Sequence, residues 1–161
     1  MIGIIGAMDE EVAQIVEVMQ VEREESKACM TFKAGKLNGK DVVVVRSGIG
    51  KVNAAVCTQI LVDDFNVDYV INTGIAGSLK AEINIADIVI SSDVLHHDMD
   101  ATGFGYAPGQ IPRMDTLSFK ADAKMIELAK EVKDKSLVGA LRFYRLFHHR
   151  WVTKRIAKML H

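Results

Sequence analysis

The sequence predicts an α/β sandwich around a central, mixed β-sheet, and three observations lead there. Short β-branched runs alternate with longer segments of helical period, the pattern of strands covered by helices. An Asn38-Gly39 pair between two apolar arms signals a tight antiparallel hairpin inside this alternation. A chain of 161 residues, 49% hydrophobic and 25% charged, has the composition of a soluble domain with a sizeable core.

The elements follow in order. Residues 2–5, between Gly3 and Gly6, read as a short buried first strand. Asp9-Glu10-Glu11 then opens a helix whose Val12, Ile15, Val16 and Met19 recur at i, i+3, i+4 and i+7. Residues 30–33 and 41–46 form the hairpin arms, the second an interior strand. A glycine turn, Ser47-Gly48-Ile49-Gly50, feeds a helix over residues 52–64, with Ala54, Ala55, Ile60, Leu61 and Val62 available for the sheet side. Val67, Tyr69, Val70 and Ile71 read as a strand buried on both faces. Residues 83–92 form a further strand. Residues 96–112, rich in Gly, Pro and aromatic side chains, read as a long functional loop or an oligomer contact. A last helix covers residues 119–135, with Met125, Leu128, Ala129 and Val132 on one stripe. No internal repeat is present.

Four places invite chemistry. The small-residue turn at residues 72–78 lets backbone groups approach a ligand beyond the end of a strand, or simply connects two elements. The acids of the first helical turn complement the helix dipole, and Glu11 is the one that could instead face a ligand. The run at residues 47–53 suggests a phosphate loop but fails the pattern, with Val45 where the first Gly belongs and Val52 after Lys51. His96-His97-Asp98-Met99-Asp100 has metal-ligating side chains, yet adjacent His residues diverge and no further cluster completes a set, so no metal is expected. Cys29 and Cys57 have no metal-ligand spacing and read as reduced thiols of a cytoplasmic protein. No signal peptide or membrane span is expected.

Charge divides the chain. Residues 1–135 hold all 21 acidic residues against 14 Lys and Arg, a net of −7, while residues 136–161 carry +6 with no acid. The boundary predicts one α/β portion over residues 1–135 and a distinct basic tail over 136–161.

Five segments in order, IGIIGAMDEEV, VVVVRSGIGKVNAA, VDYVINTGIAGSL, INIADIVIS and HHDMDATGFGYAPGQIP, resemble the amino-terminal part of bacterial 5′-methylthioadenosine/S-adenosylhomocysteine nucleosidases. The resemblance implies a three-layer sandwich of the nucleoside phosphorylase kind. It implies hydrolysis of an N-glycosidic bond to release adenine, a step of methionine salvage, by a cytoplasmic homodimer without a cofactor, bound to neither nucleic acid nor membrane. Glu11 matches the carboxylate that positions and activates the attacking water. Met8, Ser47 and Ile49 match positions near the sugar and its substituent. Ile75, Ala76 and Gly77 match the turn beside the purine. Phe104 resembles the ring that stacks on adenine, and Tyr106 and Pro112 resemble residues completing the neighbouring subunit's site. Asn72 stands where the related phosphorylases carry a phosphate-holding Arg, which implies water as the acceptor.

The chain also departs from the family. Ile75 replaces a usual Ser, and Ser78 and Ala86 replace Gly, so substrate positioning at this turn is expected to differ. The family's Met-Glu pair for the ribose hydroxyls and its late Asp acid cannot be placed on residues 136–161. The expectation is therefore a truncated, impaired nucleosidase, the alternative being a non-catalytic remnant that binds adenine nucleosides or dimerises. The tail reads either as a basic amphipathic helix or as the product of a frame disruption. Its apolar residues spread around the helix, and acids vanish abruptly, which favours the disruption.

Overall fold

A computed structural model describes residues 1–131 except Ala86. The expected tail at residues 136–161, and the end of the last expected helix with Val132, lie outside the described residues. The chain divides into two compact units with a boundary after Asp87.

The first unit is a five-stranded sheet in the order β2-β3-β4-β1-β5, with strands β1 (Ile2–Gly6), β2 (Gln20–Lys27), β3 (Met30–Leu37), β4 (Lys40–Arg46) and β5 (Tyr69–Asn72). β1 runs parallel to β4 and β5, whereas β2, β3 and β4 pair antiparallel, so the sheet is mixed as expected. Helix α1 (Asp9–Val18) covers one face and α2 (Lys51–Phe65) the other. Strand alternation explains how one valine run serves both layers. Val42 and Val44 pack with Ile4 against Val12 and Ile15 of α1 and Met19, its C-cap. Val43 and Val45 pack with Ile5 and Phe32 against Cys57, Ile60, Leu61 and Phe65 of α2. All four valines are essentially inaccessible to solvent, and burying each side chain contributes about 1.5–3 kcal/mol. This sheet is therefore the centre of the unit's stability.

The Asn38-Gly39 hairpin forms as its sequence requires, both residues lying in the left-handed region at φ 50° and 76°. A second two-residue turn joins β2 to β3, and it uses Ala28 and Cys29 at φ 51° and 60°. Neither residue favours that conformation, so this hairpin carries no sequence signal. Tertiary pairing imposes it, and β2 itself, exposed and charged along its length, shows no apolar alternation either.

Four expectations are corrected. β5 is not buried on both faces: it pairs with β1 alone among the described residues, and Tyr69 and Val70 are exposed. The described residues of 83–92 form no strand. The Asn84 and Asp87 backbones close a turn, and the Asp87 carboxylate accepts the Asn84 N–H at 2.7 Å, which interrupts the run. On α2 the buried face is Cys57, Ile60, Leu61 and Phe65, leaving Ala55 and Val62 exposed, because 3.6 residues per turn rotates those two away. The last helix, α3 (Ala123–Glu131), starts later than expected. Residues Phe119–Lys120 instead form strand β7, paired antiparallel with β6 (Asp93–Val94), and the Asp122 side chain accepts the Met125 N–H at 2.8 Å to cap α3.

Among the described residues, the second unit contains β6, β7, α3 and one 3-10 turn at Thr102–Phe104. Asp93 ties its hairpin together, accepting from Lys120 and Ser118 at 2.7 and 2.9 Å. These bonds, Lys120 first, hold the Asp93 carboxyl below its ordinary range. Among the described residues no helix is long and apolar enough to cross a membrane.

Replacing Ala28-Cys29 by Asn-Gly is expected to raise the denaturant midpoint, adding about 1 kcal/mol, since an L side chain in the left-handed region costs roughly that much per residue. The two thiols are expected to differ sharply in reactivity. Burial pushes the Cys57 thiol up to about 11, whereas Cys29 is exposed. Iodoacetamide on the native chain at pH 8 should modify Cys29 and spare Cys57, read by peptide mass spectrometry.

Candidate active site

The first unit's candidate site lies at the carboxyl end of β1, where Gly6, Ala7 and Met8 lead into α1. Glu11, in the first turn of α1, is buried at 8% exposure. Its carboxylate turns back on the chain. Oε2 accepts the Ala7 N–H at 2.7 Å and the Met8 N–H at 3.0 Å. Oε1 accepts the Ile75 N–H at 3.0 Å, from the turn after β5. Three backbone donors from two separate segments thus replace the water that a buried carboxylate would otherwise lack.

Glycines make this approach possible. A Cβ on Gly74 would stand 2.5 Å from Glu11 Oε1, and one on Gly6 would stand 2.9 Å from Glu11 Cβ. The surrounding backbone continues the sheet beyond its strands: the Ser47 N–H donates to Gly6 O at 2.9 Å and the Thr73 N–H to Ile5 O at 2.8 Å. Three connections leaving β1, β4 and β5 are thereby brought to one end of the sheet, where ligands of open α/β sheets bind.

Of the residues singled out in the sequence, Met8, Glu11 and Ile75 are joined by this network. Ser47 is buried beside it, its hydroxyl donating to Gly48 O at 2.9 Å. Ile49, at 74% exposure, and Ala76 and Gly77 are open to solvent, with no bond to the carboxylate. Phe104, Tyr106 and Pro112 belong to the second unit. There Phe104 projects from the 3-10 turn at 87% exposure, and Tyr106 Oη accepts the Arg113 N–H at 3.2 Å. The dipole reading of the acidic trio holds for its other two members: Asp9 and Glu10 are exposed, and Asp9 pairs with Arg46 at 3.1 Å. Sequence reasoning missed the Ala7 N–H and Thr73, since a backbone donor leaves no side-chain signature.

A cavity of about 640 Å³ opens between α1 and the β2–β4 part of the sheet. Its cations are engaged, Arg46 with Asp9 and Lys33 with Glu24, so it offers no uncommitted positive charge to an anion. Among the described residues no group of three His, Cys, Asp or Glu could hold a metal ion.

This architecture is that of the phosphorylase superfamily, whose family profile matches residues 1–146. A 5′-methylthioadenosine/S-adenosylhomocysteine nucleosidase of Geobacillus sp. (strain WCH70) is 46% identical over 144 residues, covering 87% of this chain and 62% of its own length. That of Staphylococcus haemolyticus (strain JCSC1435) is 49% identical over 140 residues, covering 87% and 61%. Among solved structures, the nucleosidase of Colwellia psychrerythraea 34H in complex with adenine superposes with a TM-score of 0.81 at 43% identity, over 89% of this chain and 59% of that one. The Neisseria meningitidis nucleosidase with methylthio-immucillin-A gives 0.81 at 36% identity, over 98% and 71%. The chain belongs to the 5′-methylthioadenosine/S-adenosylhomocysteine nucleosidase family of this superfamily, and it spans about 60% of the length of the curated relatives it matches.

Gly74→Ala is expected to force the carboxylate away from the Ile75 N–H, because 2.5 Å leaves no room for a methyl group. A loss of about 1–3 kcal/mol is expected for such overpacking, measured by urea denaturation, with faster hydrogen exchange at the Ile75 amide.

Proposed function

We propose that this chain carries the water-activating part of a nucleosidase site. The reaction is hydrolysis of the N-glycosidic bond of 5′-methylthioadenosine and S-adenosylhomocysteine, yielding adenine and the thioribose product. The observation that carries this reading is the Glu11 carboxylate, buried and held by three backbone N–H groups. A carboxylate has about four lone-pair positions. With two filled on Oε2 and one on Oε1, a single acceptor position remains. A water bound there meets a base that cannot rotate away, because its partners are fixed by the sheet.

The chemistry follows from that geometry. The water oxygen bonds the anomeric carbon, its proton passes to Glu11, and the carbon–nitrogen electron pair leaves with the base. The carboxylate also stabilises the positive charge that develops on the sugar. Met8, Ser47 and Ile49 are assigned to the sugar and its thioether, and Ile75, Ala76 and Gly77 to the purine edge. Phe104 is assigned to stacking on adenine, and Tyr106 and Pro112 to a site completed in a homodimer. Water is preferred over phosphate because Asn72 is neutral and Arg46 is already paired with Asp9.

The groups that the family resemblance assigns to the ribose hydroxyls and the departing base cannot be placed on residues 136–161. This supports a second reading, adenine-nucleoside binding without turnover.

Adenine release from methylthioadenosine, by a chain of verified mass, separates the two readings. Glu11→Gln is expected to lower any release by about 10²-fold or more, with circular dichroism unchanged. An equal rate in Glu11→Gln would refute the role given to the carboxylate. Saturable nucleoside binding with no release would select the second reading.

A further inference from the structure

In the second unit Phe104 stands almost wholly in water, between Gly103 and Gly105. With so little packed against the ring, its direction is set by the backbone, and glycine neighbours loosen a backbone. Hydrogen bonds order this one. The Phe104 N–H donates to Ala101 O at 3.0 Å and the Gly105 N–H to Thr102 O at 2.9 Å, closing the 3-10 turn.

The residue that opens the turn, Ala101, has no polar side chain with which to cap it. Asp100 caps it instead. Its Oδ1 accepts the Thr102 N–H at 3.0 Å and the Thr102 hydroxyl at 2.7 Å. These bonds, the hydroxyl first, hold the Asp100 carboxyl below its ordinary range. On either side of Asp100 the chain is fixed. Met99 O accepts the Gly109 N–H at 2.8 Å to close the neck of the loop, and Ala101 is buried. The neck itself is tight, since a Cβ on Gly109 would collide with Leu95 Cδ1 and stand 2.7 Å from His96 O. Asp100 thus joins a closed neck to the tip that bears Phe104.

A ring held in one direction before docking loses less conformational entropy when a flat partner covers it. We propose that Asp100 is a positioning residue for Phe104, its carboxylate holding the turn at Thr102 so that the ring is already presented in the free chain. This role rests on the nucleosidase reading for what the ring meets, a purine base, but the hold of Asp100 on the turn can be measured without turnover.

The test compares Asp100→Ala, which removes the acceptor, with Asp100→Asn, whose side-chain oxygen still accepts from Thr102, in the 161-residue chain. Asp100→Ala is expected to speed hydrogen exchange at the Phe104 and Gly105 amides roughly fivefold, the worth of one net hydrogen bond. Exchange at the Gly109 amide of the neck should stay as it was, and Asp100→Asn should restore the tip. A single 3-10 turn is marginal by itself, so the docking-ready fraction should fall as well. The KM for methylthioadenosine, or its Kd where no adenine is released, should then rise by up to about fivefold at unchanged kcat, and recover in Asp100→Asn. Unchanged exchange at the tip, equal acceleration at tip and neck, or no recovery in Asp100→Asn would overturn the proposal. So would a faster tip with unaltered nucleoside affinity. Should Asp100→Ala not fold, Thr102→Val, which removes the hydroxyl bond alone, takes its place under the same outcomes. Neither release nor binding of nucleoside by the unsubstituted chain would count against the nucleosidase reading alone, because the exchange measurement still decides what Asp100 holds.

Discussion

The first unit depends on one buried charge. Glu11 sits at the start of α1, but its carboxylate is bound by backbone from the end of β1 and from the turn after β5. A carboxylate this far from water is tolerated only when hydrogen bonds replace its hydration. The helix, the central strand and the edge strand's turn must therefore arrive together. Removing any one of them leaves an acceptor unfilled.

The sheet makes that convergence possible. β1 lies between β4 and β5, so its carboxyl end is flanked by the connections leaving both neighbours. Gly6 and Gly74 supply close approach where side chains would collide with Glu11. The valines of β4 fix the layer from both faces, packing on α1 through one alternation and on α2 through the other. Rigidity at the site is thus derived from the same residues that stabilise the core. β5 contributes less to that core, since its outer edge has no strand partner among the described residues and Tyr69 and Val70 stay exposed.

Much of the fold was legible because its signals are local. The 3.6-residue period of α1, the Asn38-Gly39 turn and the run DVVVVR each specify one element without reference to anything distant. Failures came where a local signal was absent or overruled. β2 is polar on both faces and turns through Ala28-Cys29, so only its pairing with β3 makes it a strand. Residues 83–92 have the composition of a strand but close a turn at Asn84 and Asp87. The apolar residues of β5 suggested burial, whereas its place in the strand order left it at an edge. Composition cannot report order.

The candidate site divides in the same way. Sequence by itself determined the α/β class, the helices, the glycine turns at strand ends and, among the three acids, Glu11 as the one able to face a ligand, to which family resemblance gave a role. It left the dipole reading open for Glu11 too, because all three acids complement the helix dipole equally well. Only the tertiary structure separated them, burying Glu11 and leaving Asp9 and Glu10 in solvent. It also revealed the partners, which are main-chain N–H groups present at every non-proline residue and so invisible in a sequence. Their selection depends on where β1 and β5 end relative to one another, a long-range consequence of strand pairing.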